Sequence, residues 1–103
     1  TLGPGYLEIV YERALAIEFQ LRNIPFTNQV LIKLDYKRQS IGENRLDFII
    51  DNLIVVELKS IDLFAPIHTA QMISYLKSSK CRVGLLLNFN VPVLKHGIRR
   101  FIL

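Results

Sequence analysis

The amino-acid sequence predicts an α/β fold built on one mixed sheet, with its elements in the order α-β-β-β-α-β. Three observations carry that expectation. Apolar residues at helical spacing open the chain, three β-branched runs joined by short polar turns follow, and a second helical stretch leads into a nearly all-apolar run. A meander of three strands and a helix crossing to a buried fourth strand make a mixed sheet with helices packed on it. At 103 residues, half of them hydrophobic, the chain suffices for a single domain over residues 1–103 and is too short for two. Because it opens at Thr1 rather than at Met, an upstream segment is allowed for.

Each element has its own local reason. Thr1 to Gly5 (TLGPG) is loop punctuation, after which Leu7, Val10, Tyr11, Ala14, Leu15 and Leu21 recur at helical spacing to about Arg22. The break from Asn23 to Pro25 is expected to end this helix. Gln29 to Lys37 reads as a strand in which Val30, Ile32 and Leu34 alternate with Leu31, Lys33 and Asp35, and Arg38 to Gly42 is expected to form a polar turn. Arg45 to Ile50 and Leu53 to Lys59 are two more strands, joined at Asp51-Asn52, which has hairpin-turn chemistry. Ile67, Ala70, Met72, Ile73 and Leu76 support a second helix from about Pro66 to Ser78, with proline near its first turn. Arg82 to Asn88 (RVGLLLN) suits a strand covered on both faces, and the tail is expected to hold a short turn or helix and then a strand over Ile98 to Ile102. There is no internal repeat and no low-complexity segment.

Charge is distributed unevenly. The formal net charge is +4, yet all nine acids lie at or before Asp62, whereas six bases (Lys77, Lys80, Arg82, Lys95, Arg99 and Arg100) and no acid follow Leu63. That asymmetry is compatible with an anionic partner for the C-terminal half, or with a solvated basic face that has none. A single cysteine, Cys81, excludes an intrachain disulfide and a Cys-based zinc site and suits the cytosol. No apolar run approaches the roughly 20 residues that cross a bilayer, so no membrane partner is expected.

Within the strands, two carboxylates stand in apolar settings: Asp47 in LDFII and Glu57 in VVELK, with Lys59 two residues after Glu57. Side chains two apart on a strand share a face, so Glu57 and Lys59 point the same way, either as a structural ion pair or as part of a reactive site. Asp47 decides between these readings if it joins them. In an antiparallel hairpin, opposed residues have indices of constant sum. A two-residue loop at Asp51-Asn52 would set Asp47 opposite Val56, on the other face from Glu57; a three-residue loop or a bulge would set it opposite Glu57. In the second geometry, two adjacent carboxylates and the backbone carbonyl of Leu58 would hold Mg²⁺ or Mn²⁺, with Lys59 placed to orient a water or stabilise charge. This set of groups suits phosphodiester hydrolysis. Glu8 could approach the strand ends from the first helix. His68, Gln71 and Tyr75 share one face of the second: Gln71 is placed to hold Lys59 or a water and Tyr75 to meet a phosphate, while His68, with no second histidine near it in sequence, suits a helix-surface or capping role better than metal ligation. His96 is isolated and receives no role.

Taken together, GYLEIVY (Gly5 to Tyr11), RLD (Arg45 to Asp47), ELK (Glu57 to Lys59), APIHTAQMISYLK (Ala65 to Lys77) and VGLLLNF (Val83 to Phe89) resemble the GxxExxY family of the PD-(D/E)XK nuclease-like superfamily. The resemblance covers nearly the whole chain in order. It implies a restriction-endonuclease-like core, a mixed four-stranded sheet flanked by helices. It also implies Glu8, Asp47 and Glu57 as the acidic positions, Lys59 as the catalytic lysine, and Gln71 as the helix glutamine, followed one turn later by Tyr75. Leu46 stands where the superfamily name has proline. The expected function is a Mg²⁺- or Mn²⁺-dependent nuclease acting on DNA more than RNA, with Tyr75, Lys77, Arg82, Lys95, Arg99 and Arg100 as nucleic-acid contacts. The alternative is an inactive nuclease-fold module that binds nucleic acid or a protein partner. Either could act as a homodimer through the Ile98 to Ile102 edge.

Overall fold

In the computed structural model, residues 8–91 and 94–103 are described, with the side chains at 34–36, 41, 94 and 95 lying outside the description. The expected loop at Thr1 to Gly5 and the first residues of the GYLEIVY run fall outside it too.

The elements run α1 (Glu8–Leu21), β1 (Phe26–Tyr36), β2 (Gln39–Ile50), β3 (Ile54–Lys59), α2 (Pro66–Ser79), β4 (Val83–Asn88), a 3₁₀ turn (Leu94–Gly97) and β5 (Ile98–Ile102). One sheet carries all the strands in the order β1-β2-β3-β4-β5. The β3–β4 pair is parallel and the others are antiparallel. The sheet is therefore five-stranded rather than four-stranded, because the C-terminal segment adds itself beside β4 as an edge strand. The first turn also differs from expectation. It sits at Lys37 and Arg38, both with left-handed φ, and β2 already begins at Gln39 after a register shift between Leu34 and Asp35. Two residues in left-handed conformation suffice for a tight hairpin, so the polar run Arg38 to Gly42 is mostly strand.

Both helices end on left-handed residues. After α1, Asn23 (φ 56°) lets Ile24 N–H reach the Phe19 carbonyl at 2.9 Å, and Ile24 packs in the same apolar cluster as Phe19. Lys80 (φ 62°) plays this part after α2. At the other end of α2, Pro66 takes the first helical position and His68 Nδ1 accepts a 2.8 Å hydrogen bond from Ala65 N–H, the capping role expected of His68.

The core has two halves, one on each face of the sheet. Leu46, Ile49, Val55, Met72, Leu76, Cys81 and Leu86 pack on the α2 side; Tyr11, Phe19, Phe48, Val56 and Leu58 pack on the α1 side. Gly84 lets α2 lie close to β4, since a Cβ there would stand 2.5 Å from Met72 Sδ. Helical spacing overstated the buried faces: Leu21 (72% exposed), Ile67 (58%) and Ile73 (36%) lie at the surface.

Strand alternation breaks at one place. On β2, Leu46 packs on the α2 side and Phe48 on the α1 side; on β1, Phe26 packs on the α1 side and Val30 on the α2 side. Residues two apart should share a face, so both strands cross over. The register does not slip: Asn28 pairs with Phe48 and Val30 with Leu46, leaving Gln29 and Asp47 opposed between them. Gln29 has φ 51°; the other described non-glycine residues with left-handed φ sit in turns or just beyond helix ends.

Candidate active site

The β2–β3 loop decides the position of Asp47. Ile50 pairs with Ile54 and Phe48 with Val56, so three residues, Asp51 to Leu53, lie in the loop and Asp47 falls opposite Glu57. This is the odd-loop geometry, with left-handed Asp51 and Asn52 supporting it.

Beyond Phe48–Val56 the backbone ladder gives way to side chains. Asp47 N–H donates to Glu57 Oε1 at 2.9 Å, and Leu58 N–H donates to Asp47 Oδ2 at 2.8 Å. Each carboxylate thus takes a backbone donor from the opposite strand, which ties both to the point where β2 and β3 part. The two side chains still face different neighbours. Glu57, in phase with Val55, is on the α2 face, whereas Asp47, at the crossover, lines a cleft of about 180 Å³ with Glu8, Ile9, Glu12, Gln29 and Leu58.

Burial dominates the electrostatics. It pushes the Glu57 carboxyl up to about 8, with the Asp47 charge adding to the rise and the Asp47 N–H and Lys59 opposing it. Asp47 is raised as well, first by burial and then by Glu12 and Glu8, against the Leu58 N–H and the Lys59 ammonium. Tyr75 is raised by burial and by the charges of Glu57 and Asp47, so α2 brings its hydroxyl within electrostatic range of both. Lys59 acts at a distance: among the described residues it makes no ion pair within 4 Å, and a direct Glu57–Lys59 salt bridge is not formed.

The remaining expected residues distribute as follows. Glu8, exposed at the start of α1, accepts a 3.0 Å hydrogen bond from Ser60 N–H just after β3, so its carboxylate does reach the strand ends. Gln71 is half-buried on α2, one turn before Tyr75. The basic residues are not one patch. Arg99 and Arg100 are successive on β5 and face opposite sides of the sheet, Arg99 lying 4.4 Å over the Phe64 ring. Arg82 precedes β4, roughly 20 Å of strand away from Asn88 at the site end, and Lys77 is exposed in the last turn of α2, also away from the site. The Lys95 side chain lies outside the described residues. His96 is exposed.

Sequence reasoning missed three residues. Glu12 is buried (8% exposed) and accepts a hydrogen bond from Gln29 Nε2; its spacing of four from Glu8 was the available signal. Gln29 gave no signal, since nothing local to TNQVL announces a left-handed residue. Asn88, at the end of an apolar strand, is buried (2% exposed): its Oδ1 accepts from Ile61 N–H and Asn90 N–H, and its Nδ2 donates to the Ile61 carbonyl. It therefore fixes the loop that follows Lys59. Nearby, Tyr11 stacks on Phe89 at 4.2 Å, and Phe89 N–H donates to the Lys59 carbonyl at 2.9 Å, so α1 braces the strand that presents the lysine.

Among the described residues, no group of three or more His, Cys, Asp or Glu is already gathered to hold a metal ion. The donor chemistry nonetheless fits a hard dication: the groups are carboxylates, two of them are raised by burial and by neighbouring negative charge, and a cation would relieve that charge. No helix among the described residues is long and apolar enough to cross a membrane.

No curated protein and no solved structure matches the chain significantly. A sequence profile of the PD-(D/E)XK nuclease superfamily, however, matches residues 1–101. The match spans every strand that holds a carboxylate and both helices that flank them, and it places the chain in a superfamily of nucleases that generally use divalent metals. By that match over almost its whole length, the chain belongs to the PD-(D/E)XK nuclease superfamily.

Proposed function

We propose that the protein is a GxxExxY-type nuclease that hydrolyses phosphodiester bonds, in DNA rather than RNA, with Mg²⁺ or Mn²⁺. The observation that carries this reading is the reciprocal lock between Asp47 and Glu57, two raised carboxylates held where β2 and β3 part, with Lys59 on the same strand face as Glu57. A structural pair of acids would be costly in that position; a site for a cation and a phosphate accounts for it.

Asp47, Glu57 and the Leu58 carbonyl would hold the dication, with Glu8 as a further carboxylate. When bound, the ion supplies Lewis acidity to the phosphate and lowers the pKa of a coordinated water. The chain's own residues do the rest. Lys59 Nζ orients the attacking water and stabilises the negative charge that develops as the water oxygen gives up a proton to solvent and bonds to phosphorus. The opposite phosphorus–oxygen bond then breaks, and the departing ester oxygen takes up a proton from solvent. Gln71 Oε1 accepts a hydrogen bond from Lys59 or from that water, and the Tyr75 hydroxyl donates to a phosphate oxygen. Arg99, near the site end of β5, contacts the backbone of the polyanion.

The test is cleavage of a panel of DNA and RNA substrates with Mn²⁺, by the wild type and by Asp47→Ala, Glu57→Ala and Lys59→Ala. Divalent-dependent cleavage lost in all three variants supports the reading. Equal residual cleavage in all three identifies a contaminant. Salt-dependent binding without cleavage would instead make the protein a binding module.

A further inference from the structure

We infer that the Gln29–Glu12 hydrogen bond is a positioning device for cation binding at Asp47. The inference rests on the reading of the cleft as a divalent-cation site. Gln29 and Asp47 are opposed in the β1–β2 register, and both strands change face at this pair. The left-handed φ of Gln29 (51°) is the backbone feature at that crossing, and for a residue with a Cβ it is strained. A strained residue within an otherwise extended strand persists only where its surroundings hold it. Here the hold is explicit, because Gln29 Nε2 donates to Glu12 Oε1 and Glu12 is buried in α1. The bond does two things. It joins α1 to β1 across the cleft, keeping the crossover at which Asp47 lines the cleft with Glu8 and Glu12 while its N–H holds Glu57 Oε1. It also commits one oxygen of Glu12 to the strand, so that a buried carboxylate beside Asp47 has a single orientation. Gln29 is therefore a positioning residue, acting through Asp47 and Glu12.

The experiment is calorimetric titration of the intact protein with Mn²⁺, without nucleic acid. Wild type is compared with Asp47→Asn, Gln29→Gly and the exchange variant Glu12→Gln/Gln29→Glu. Glycine adopts φ 51° without steric cost, so Gln29→Gly keeps the backbone and removes only the side chain. A thermal melt at or above that of wild type would show that it still folds. The expected result is Mn²⁺ affinity at least tenfold weaker in Gln29→Gly. The exchange variant, which restores the hydrogen bond with its polarity reversed and the charge retained, should recover at least half of that loss. Wild-type affinity in Gln29→Gly, or no recovery in the exchange variant, overturns the positioning role and leaves the cation site standing. Absence of Asp47-dependent Mn²⁺ binding in the wild type overturns both.

Discussion

The two ends of the β2–β3 pair are made from the same strands and do opposite things. At the hairpin end, Phe48, Ile49 and Ile50 pair in register with Val56, Val55 and Ile54, and the side chains enter two apolar clusters. At the far end the pairing passes to carboxylates, which take the opposite strand's backbone donors and are raised by burial and by neighbouring acids, Glu57 by Asp47 and Asp47 by Glu12 and Glu8. The first end gains stability from burial. The second gives some of it up to hold negative charge in one place, which is the usual signature of a site rather than of a core.

The sharpest test of this contrast is to damage each end separately. Lys59→Met should cut cleavage by about 10²–10⁴-fold while moving the thermal midpoint little, since Lys59 is half-exposed and makes no close ion pair among the described residues. Phe48→Ala should cost about 3–5 kcal/mol in urea unfolding, because its side chain is completely buried in contact with Phe19 and Phe26. If Lys59→Met unfolds the protein, or Phe48→Ala leaves its stability intact, the division between the two ends is wrong.

A gentler test uses pH. The folded protein holds the Glu57 proton up to about pH 8, whereas the unfolded chain releases it near 4.5. Between those values the native state binds more protons, so stability falls as pH rises, and the full penalty is present above pH 8. Glu57→Gln should match wild type below pH 4.5 and exceed it above pH 8 by up to roughly 5 kcal/mol, measured by urea unfolding without divalent ions. Millimolar Mn²⁺ should narrow that gap by stabilising the wild type, and a gap that is independent of pH would show that Glu57 is not charged at a cost. The smallest expected effect concerns the basic residues. Arg99→Ala should weaken DNA binding a few-fold and reduce the salt slope by about one, while Arg82→Ala, at the other end of β4, should change neither. Equal losses in filter-binding assays would mean that the polyanion runs the length of the sheet.

Much of this was legible in the residues. The run VVELK, with its acid and lysine two apart among β-branched residues, marked a strand with an acid and a base on one face, and Pro66 and the Asn23 break delimited the helices because each acts on its own backbone. Leu21 and Ile67 misled for the complementary reason: periodicity records which residues could be buried and says nothing of how far the neighbouring element extends. The constant-sum rule reduced the position of Asp47 to a choice of loop length, and there the sequence stopped, since Asp51-Asn52 is compatible with two residues or three.

Local chemistry thus determined the order of the elements and the sheet's β-α-β crossover, and it singled out Asp47, Glu57 and Lys59 as the candidate set. Tertiary structure alone decided the three-residue loop, the pairing of the C-terminal strand with β4, the crossover at Gln29 and Asp47, the separation of Arg99 from Arg100 and Arg82, and the burial of Glu12 and Asn88. The division has a physical cause. Propensities, caps and strand alternation act over a few residues and can be read along the chain, whereas a face change shared by two strands, or a glutamine held left-handed by a glutamate 17 residues earlier, exists only once the strands and helix have met.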